Sequence, residues 1–197
     1  MKNQKMRVAL GDGSTAQISV EQLKQMAASG LLPVGEYFDR INGGEWMHSF
    51  NIVPTEGIAH ILNVALGPKA KPSNYYLALF SGNTAPTSTW IAAQFSAVAS
   101  EIVSQTEGYT NANRPTWTPV ETVTNSIDNM VTAAQVTIAT SGTLTVTGAA
   151  LLTTSAKGST TGVLISATKF PTARTFQNGD IYEIGYRLSL TVQCYGP

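Results

Sequence analysis

The chain has 197 residues, which is enough for one domain with a sizeable core, or for a main domain with a small appendage. Only 12% of the residues are charged, and acidic and basic residues are equal in number, so the net charge is zero. A protein that binds nucleic acid needs a basic surplus to neutralise phosphates, so this function is excluded. With so little charge, the surface must consist largely of Thr, Ser, Asn and Gln. Such a surface suits packing against neighbouring proteins.

The first 50 residues hold more than their share of the charges, which indicates a boundary near residue 50. Apolar stretches at 6–10 and 16–20 flank Gly11-Asp12-Gly13, a pattern typical of a hairpin. Ser19 then begins a predicted helix that ends at Gly30. Two extended pieces follow around the turn at 42–44. We therefore predict an N-terminal ββα appendage over residues 1–50, with a partner-binding arm as the alternative.

Residues 55–66 are predicted to form an amphipathic helix, with Thr55 as its capping residue. Gly67 and Pro68 end the helix, because glycine accepts a left-handed cap and proline cannot continue the helix. The apolar stripe expected to face the core consists of Ile58, Ile61, Leu62, Ala65 and Leu66. The aromatic run at 75–80 predicts a buried strand.

The remainder of the chain is mostly strand-like. A weak helical pattern covers 87–99, and a long ordered loop is predicted for 101–119. Strands rich in Val, Ile, Leu and Thr are predicted at 120–124, 130–140, 143–153, 162–167 and 180–193. Short, evenly spaced strands predict a mainly β protein. Residues 51–197 are expected to form a jelly-roll-like antiparallel β-sandwich with one or two short helices.

No set of residues in the sequence has the spacing of a catalytic, metal or cofactor site. The two histidines, His48 and His60, have no Cys pair or HExxH spacing around them, so we interpret both as structural. The single cysteine, Cys194, has no base near it in the sequence and no partner for a disulfide. We therefore predict that the protein is not an enzyme and carries no metal or cofactor. The sequence shows neither a signal peptide nor an apolar run of about 18 residues, so synthesis in a cytoplasm is expected.

Arg114-Pro115-Thr116-Trp117 is the most distinctive polar and aromatic cluster. Arg114 and Trp117 are of the types that anchor protein interfaces, and Trp46 and Phe50 are further contact candidates. The alternative is that Trp117 packs in the core while Arg114 pairs with a carboxylate such as Glu107.

A series of short motifs runs through the chain from residue 51 onward in a characteristic order and spacing. They are Asn51-Ile52-Val53, Glu56-Gly57, 62–67, Leu77, 80–83, Tyr109, Arg114-Pro115, Trp117, Lys157-Gly158, Thr161-Gly162, Phe170, Arg174 and the closing strand at 182–190. On these motifs, about three quarters of the chain resembles a family of tailed-bacteriophage virion structural proteins, some of which are capsid cement or decoration proteins.

The resemblance implies a jelly-roll-like protein that assembles as a homotrimer on the outside of a capsid. Its partners would be the major capsid protein and neighbouring copies of itself. Two other functions stay open: a tail, fibre, baseplate or adaptor component, and a carbohydrate-binding module or hydrolase on a jelly roll. The aromatic residues available to a sugar site would be Trp90, Tyr109, Trp117, Tyr182 and Tyr186.

Overall fold

The computed structural model describes residues 5–9, 15–19 and 31–192. The strands are β1 Lys5–Ala9, β2 Thr15–Ser19, β3 Leu31–Ile41, β4 Met47–Phe50, β5 Tyr75–Phe80, β6 Gly108–Tyr109, β7 Thr116–Trp117, β8 Ser126–Asp128, β9 Ala134–Ala139, β10 Leu144–Leu152, β11 Leu164–Phe176 and β12 Ile181–Val192. The α-helices among these residues are α1 Thr55–Ala65 and α2 Ala92–Ala99. The predicted turn at 11–13, the helix predicted after Ser19 and Cys194 lie outside the described residues.

Two antiparallel sheets build the main body. The larger has the order β4-β3-β12-β9-β6, with β8 paired to β12 beside β9, and the smaller has the order β11-β10-β5-β7. A continuous apolar core contains side chains from both sheets. The prediction of a mainly β antiparallel sandwich is confirmed. The jelly-roll connectivity stays a prediction.

Strand β5 of the smaller sheet is buried on both faces. Along β5, Leu77 and Leu79 belong to the core between the sheets, whereas Ala78 and Phe80 pack in a second cluster with Trp90 and α2. Successive strand residues point to opposite faces, so a strand covered on both sides must be apolar at every position. This accounts for the unbroken apolar run of β5.

Residues 31–50 belong to the larger sheet. Strand β3 pairs with β12 from Leu31 to Ile41 and carries β4 on its other edge. The structure therefore corrects the predicted boundary at residue 50, because the partner of β3 lies near the other end of the sequence. Strands β1 and β2 form a separate antiparallel pair, as predicted for the N-terminal hairpin.

Helix α1 has the predicted position but not the predicted orientation. Its N-cap is Pro54, which makes no side-chain capping bond, so the capping role given to Thr55 was wrong. Gly57 and His60 are its buried residues, while Ile58, Leu62 and Leu66 of the predicted inward stripe are exposed. A Cβ on Gly57 would lie 2.2 Å from the Ile165 carbonyl oxygen. The missing side chain therefore allows α1 to approach β11 through this face.

Most strand predictions in the last third are confirmed within a few residues. The predicted strand at 120–124 is wrong, since these residues are irregular and Thr122 and Thr124 bond locally in place of a ladder. Strand β11 continues to Phe176, past the predicted end at 167. Between Lys169 and Arg174 its pairing with β10 is interrupted by a bulge that contains Pro171. A proline inside a strand pattern hides such a continuation.

Candidate interaction surface

Alternation along β3 separates a buried face from an outer one. Tyr37 and Asp39 are fully buried, whereas Glu36, Phe38 and Arg40 lie on the solvent side. Pairing with β4 and β12 places further side chains beside them in register. We call this surface the outer face of β3. It consists of Glu36, Phe38, Arg40, Trp46, His48, Phe50, Asp128, Glu183 and Arg187.

One row of this face is organised by Arg40. Its Nε and Nη2 donate hydrogen bonds of 2.6 and 2.8 Å to the two carboxylate oxygens of Glu183. These bonds lower the pKa of the Glu183 carboxyl and raise that of Arg40. The guanidinium lies 4.5 Å from the centre of the Trp46 ring, a distance suited to a cation–π contact. Trp46 is thereby held in one position while remaining 37% exposed.

A second row combines aromatic rings with charge. The His48 ring packs edge-on against Phe50 at 4.7 Å and lies 5.0 Å from the ring of Phe38. Glu36 is 3.1 Å from His48 Nε2, and its other carboxylate oxygen is 3.8 Å from Nη1 of Arg187. Phe50 is 48% exposed. Aromatic rings and arginines fixed by neighbours are the groups that supply binding energy at protein interfaces.

Of the four predicted contact residues, the structure brings Trp46 and Phe50 to this face and buries the other two. Arg114 is 2% exposed and Trp117 is 7% exposed. The Trp117 indole N–H donates to the Tyr186 carbonyl at 3.0 Å, inside the core. Arg114 and Trp117 are therefore not surface anchors, which corrects their assignment. The core interpretation was right for Trp117, whereas Arg114 pairs with Glu101 and not with Glu107.

Several residues behind the family resemblance meet around Arg114. Its Nε and Nη2 donate to the Glu101 carboxylate at 2.7 and 2.8 Å, and the Gly158 N–H donates to the same carboxylate at 3.0 Å. Lys157 Nζ donates to the Tyr109 carbonyl at 3.0 Å and lies 3.4 Å from the centre of the Tyr109 ring. This cluster ties the loop before β7 to the loop between β10 and β11. These conspicuous motif residues thus stabilise the fold.

The outer face could be predicted only in part. Trp46 and Phe50 were selected as residue types, but Glu36, Phe38, Arg40 and Arg187 were missed. The available signal was the alternation of residues 36–40, with Tyr37 and Asp39 between the outer side chains. Asp39 is buried and pairs with Arg174 at 2.7 Å. A charged residue on the buried face interrupts the apolar pattern by which a strand is recognised, so the alternation was not noticed.

The aromatic residues considered for a sugar site are all buried. Trp90, Tyr109 and Tyr182 belong to the two apolar clusters, while Trp117 and Tyr186 line a cavity at one end of the sandwich. His60, which we interpreted as structural, is buried with its Nε2 3.1 Å from the Tyr75 hydroxyl. Among residues 31–192 and the two short N-terminal strands, no group of three His, Cys, Asp or Glu side chains is arranged to hold a metal ion.

The chain was also compared with known proteins. No protein-family model matches it, and a search of curated proteins found no match. Within the part of the chain that the structure describes, no helix combines the length and apolar character needed to cross a membrane.

Proposed function

We propose that this protein is a non-enzymatic bacteriophage decoration, or cement, protein. It binds the outside of the assembled head as a homotrimer and stabilises the coat lattice. The observation that carries the proposal is the outer face of β3. There, Trp46 and Phe50 are partly exposed, and ion pairs lie beside them. The motif resemblance and the charge-poor, Thr-rich composition with zero net charge support the same function.

The outer face of β3 suits a clamp because its side chains are already ordered. Arg40 contacts both Glu183 and Trp46 in the isolated chain, so binding costs little side-chain entropy. A protein that binds the assembled shell, and not free coat subunits, stabilises the shell by mass action. Repetition over a symmetric lattice multiplies a modest contact at each site.

The proposed homotrimer needs a second surface. Helix α1 presents Ile58 and Leu62 outward, four residues apart, and the residue that caps its C-terminus, Leu66, is 86% exposed. Apolar side chains at this spacing form a continuous stripe on a helix. A second copy of the chain is the partner to which the proposal assigns this stripe.

The proposal predicts that Trp46→Ala combined with Phe50→Ala weakens binding to undecorated capsids at least tenfold. That factor corresponds to about 1.4 kcal/mol, below the loss typical of hot-spot residues. Occupancy would be measured by titrating purified protein onto capsids and quantifying the bound fraction by mass spectrometry. Val123→Ala with Val131→Ala is the matched control, because both valines are exposed apolar residues outside the outer face of β3.

Equal occupancy of wild type and the Trp46/Phe50 variant, with unchanged thermal unfolding, would contradict the assigned surface. Copy number in washed virions tests the class of function itself. A number comparable to the coat protein supports lattice-wide decoration. A few per cent would favour the tail, fibre or baseplate alternative, and absence from virions would remove the structural function.

A further inference from the structure

A cavity of about 390 Å³ opens at one end of the sandwich, between the two sheets and beneath α1. Its buried walls include Trp117, Leu151, Ile165 and Tyr186, and Ile127 and Leu188 continue the apolar lining. Protein interiors are close-packed and rarely keep voids larger than a water molecule. A space of this size lies in the range of small-molecule pockets.

The rings around the cavity have their polar atoms largely engaged with one another. The Trp117 N–H donates to the Tyr186 carbonyl, and the Tyr75 hydroxyl pairs with His60 Nε2. Tyr75, Trp117 and Tyr186 stack in successive edge-on pairs with centroids 5.9 and 6.0 Å apart. The interior therefore offers apolar surface and ring faces, with few free groups for the many hydroxyls of a sugar.

Polar groups occur at two places on the cavity wall. Lys71, Ser73, Asn74 and Thr118 are exposed lining residues and form its mouth. His60 is 3% exposed, and its Nδ1 has no hydrogen-bond partner among the described residues. Burial, assisted by Lys69, lowers the pKa of His60, so the imidazole is neutral at pH 7. The positive charge of the lining therefore comes from Lys71.

The nearby carboxylates have partners elsewhere. Glu56 accepts hydrogen bonds from the backbone N–H groups of Ala92 and Leu164 at 2.8 and 2.7 Å. Asp128 pairs with Arg187 at 2.9 Å on the outer face of β3. An anionic group that approached Lys71 would thus meet a cation without a carboxylate in the cavity lining to compete for it.

From this geometry we propose that the cavity binds a small amphipathic anion, with an apolar body between the sheets and a single acidic head at Lys71. The apolar body displaces water from the walls formed by Ile127, Leu151 and Ile165. The head remains at the mouth, where water and Lys71 solvate it. This binding site goes beyond the proposed decoration function and does not depend on it.

Decanoate is the probe, because it has an apolar chain and one carboxylate. Isothermal titration calorimetry at pH 7.5, below the micelle concentration, is expected to show one site per chain. Ile127→Trp, which fills the cavity from β8, should weaken decanoate binding at least tenfold. If Ile127→Trp unfolds, Ile61→Trp serves in its place, because it fills the cavity from α1 and should likewise weaken decanoate binding.

Lys71→Gln separates the head group from the body. It should weaken decanoate about fivefold and leave decanol, the neutral analogue, unchanged. Lys169→Gln is the matched control, since Lys169 is a half-buried lysine that donates to Asn83 and does not line the cavity. Absence of decanoate binding, or full binding by a folded cavity-filled variant, would overturn the proposal. Equal effects of the two lysine variants would overturn the assignment of the head group. All titrations use the isolated protein, so their outcome is separate from that of the capsid experiments.

Discussion

Arg114 shows how a buried charge is accommodated in this protein. Its side chain and that of Glu101 are completely buried, and each has further hydrogen bonds: Arg114 to the Thr154 carbonyl at 2.8 Å, Glu101 from the Gly158 N–H. A buried ion pair contributes little net stability compared with apolar residues, but removing one partner leaves an uncompensated charge. Removing one partner should therefore lower the stability of the fold far more than the intact pair raises it.

We expect Arg114→Met to lower the free energy of unfolding by about 3–5 kcal/mol, the usual cost of stranding a buried charge. Adding Glu101→Gln should recover most of this loss, because the amide oxygen still accepts from Gly158 and carries no charge. Urea unfolding at pH 7 measures both variants. A loss below about 1 kcal/mol for Arg114→Met would show that water reaches Glu101 in the folded protein.

Because Lys157 is partly buried, we expect the free energy of unfolding to rise with pH in the alkaline range. Burial lowers its pKa from 10.5 to about 8, outweighing the attraction of Glu101. Between pH 8 and 10.5 the unfolded chain therefore binds a proton that the folded protein has released, so the free energy of unfolding rises with pH. Above pH 10 the effect reverses, because burial raises the pKa of Tyr37 and Tyr182, and these hydroxyls keep protons that the unfolded chain loses.

Urea midpoints measured from pH 7 to 10 would check this rise, with Lys157→Met as the variant that removes it. Should the contact between Lys157 and the Tyr109 ring cancel the effect of desolvation, wild type and variant would show the same dependence on pH. Such a result would contradict the lowered pKa.

At the scale of elements, α1 depends on a glycine. Replacing an exposed glycine within a helix by alanine usually raises the free energy of unfolding by about 1 kcal/mol. Gly57 should behave in the opposite way, since the new Cβ would lie 2.2 Å from the Ile165 carbonyl oxygen and would push α1 from β11. We expect Gly57→Ala to cost about 1–3 kcal/mol, the range for overpacking.

Thermal unfolding of Gly57→Ala, compared with Gly142→Ala, measures this cost. Gly142 is the control because an added Cβ there meets no atom within 4 Å. A higher melting temperature for Gly57→Ala than for wild type would mean that α1 readily shifts outward, and would contradict the tight contact.

Elements with local signals could be predicted, and those fixed by distant contacts could not. Alternating Val and Thr identified β9 and β10, and the apolar run identified β5. The orientation of α1 was missed because its inner face is formed by Gly57 and His60, which no hydrophobic pattern selects. The place of β3 was missed because its partner β12 is far away in the sequence. The positions of Trp117 and Arg114 depended on the same long-range packing.

At the scale of the whole molecule, the smaller sheet is the most protected layer. Its central strands β5 and β10 are paired on both edges and covered on both faces. Amides in such positions exchange only when the whole protein unfolds. We expect Leu77–Phe80 and Ala149–Leu152 to be the slowest to exchange with deuterium, as measured by NMR, and the three-residue strand β8 to exchange faster. Similar rates in β8 and β5 would contradict this order.

The pairing of β3 with β12 has a consequence for how the protein is made. Arg40 and Glu183, which face each other across these strands, are separated by 143 residues. At typical rates of synthesis, roughly 7–30 s pass between the emergence of β3 and that of its partner. During that interval β3 can pair with β4 on one edge only, so its other edge is open to neighbouring chains. On crowded polysomes, we therefore expect the open edge of β3 to favour pairing between nascent chains.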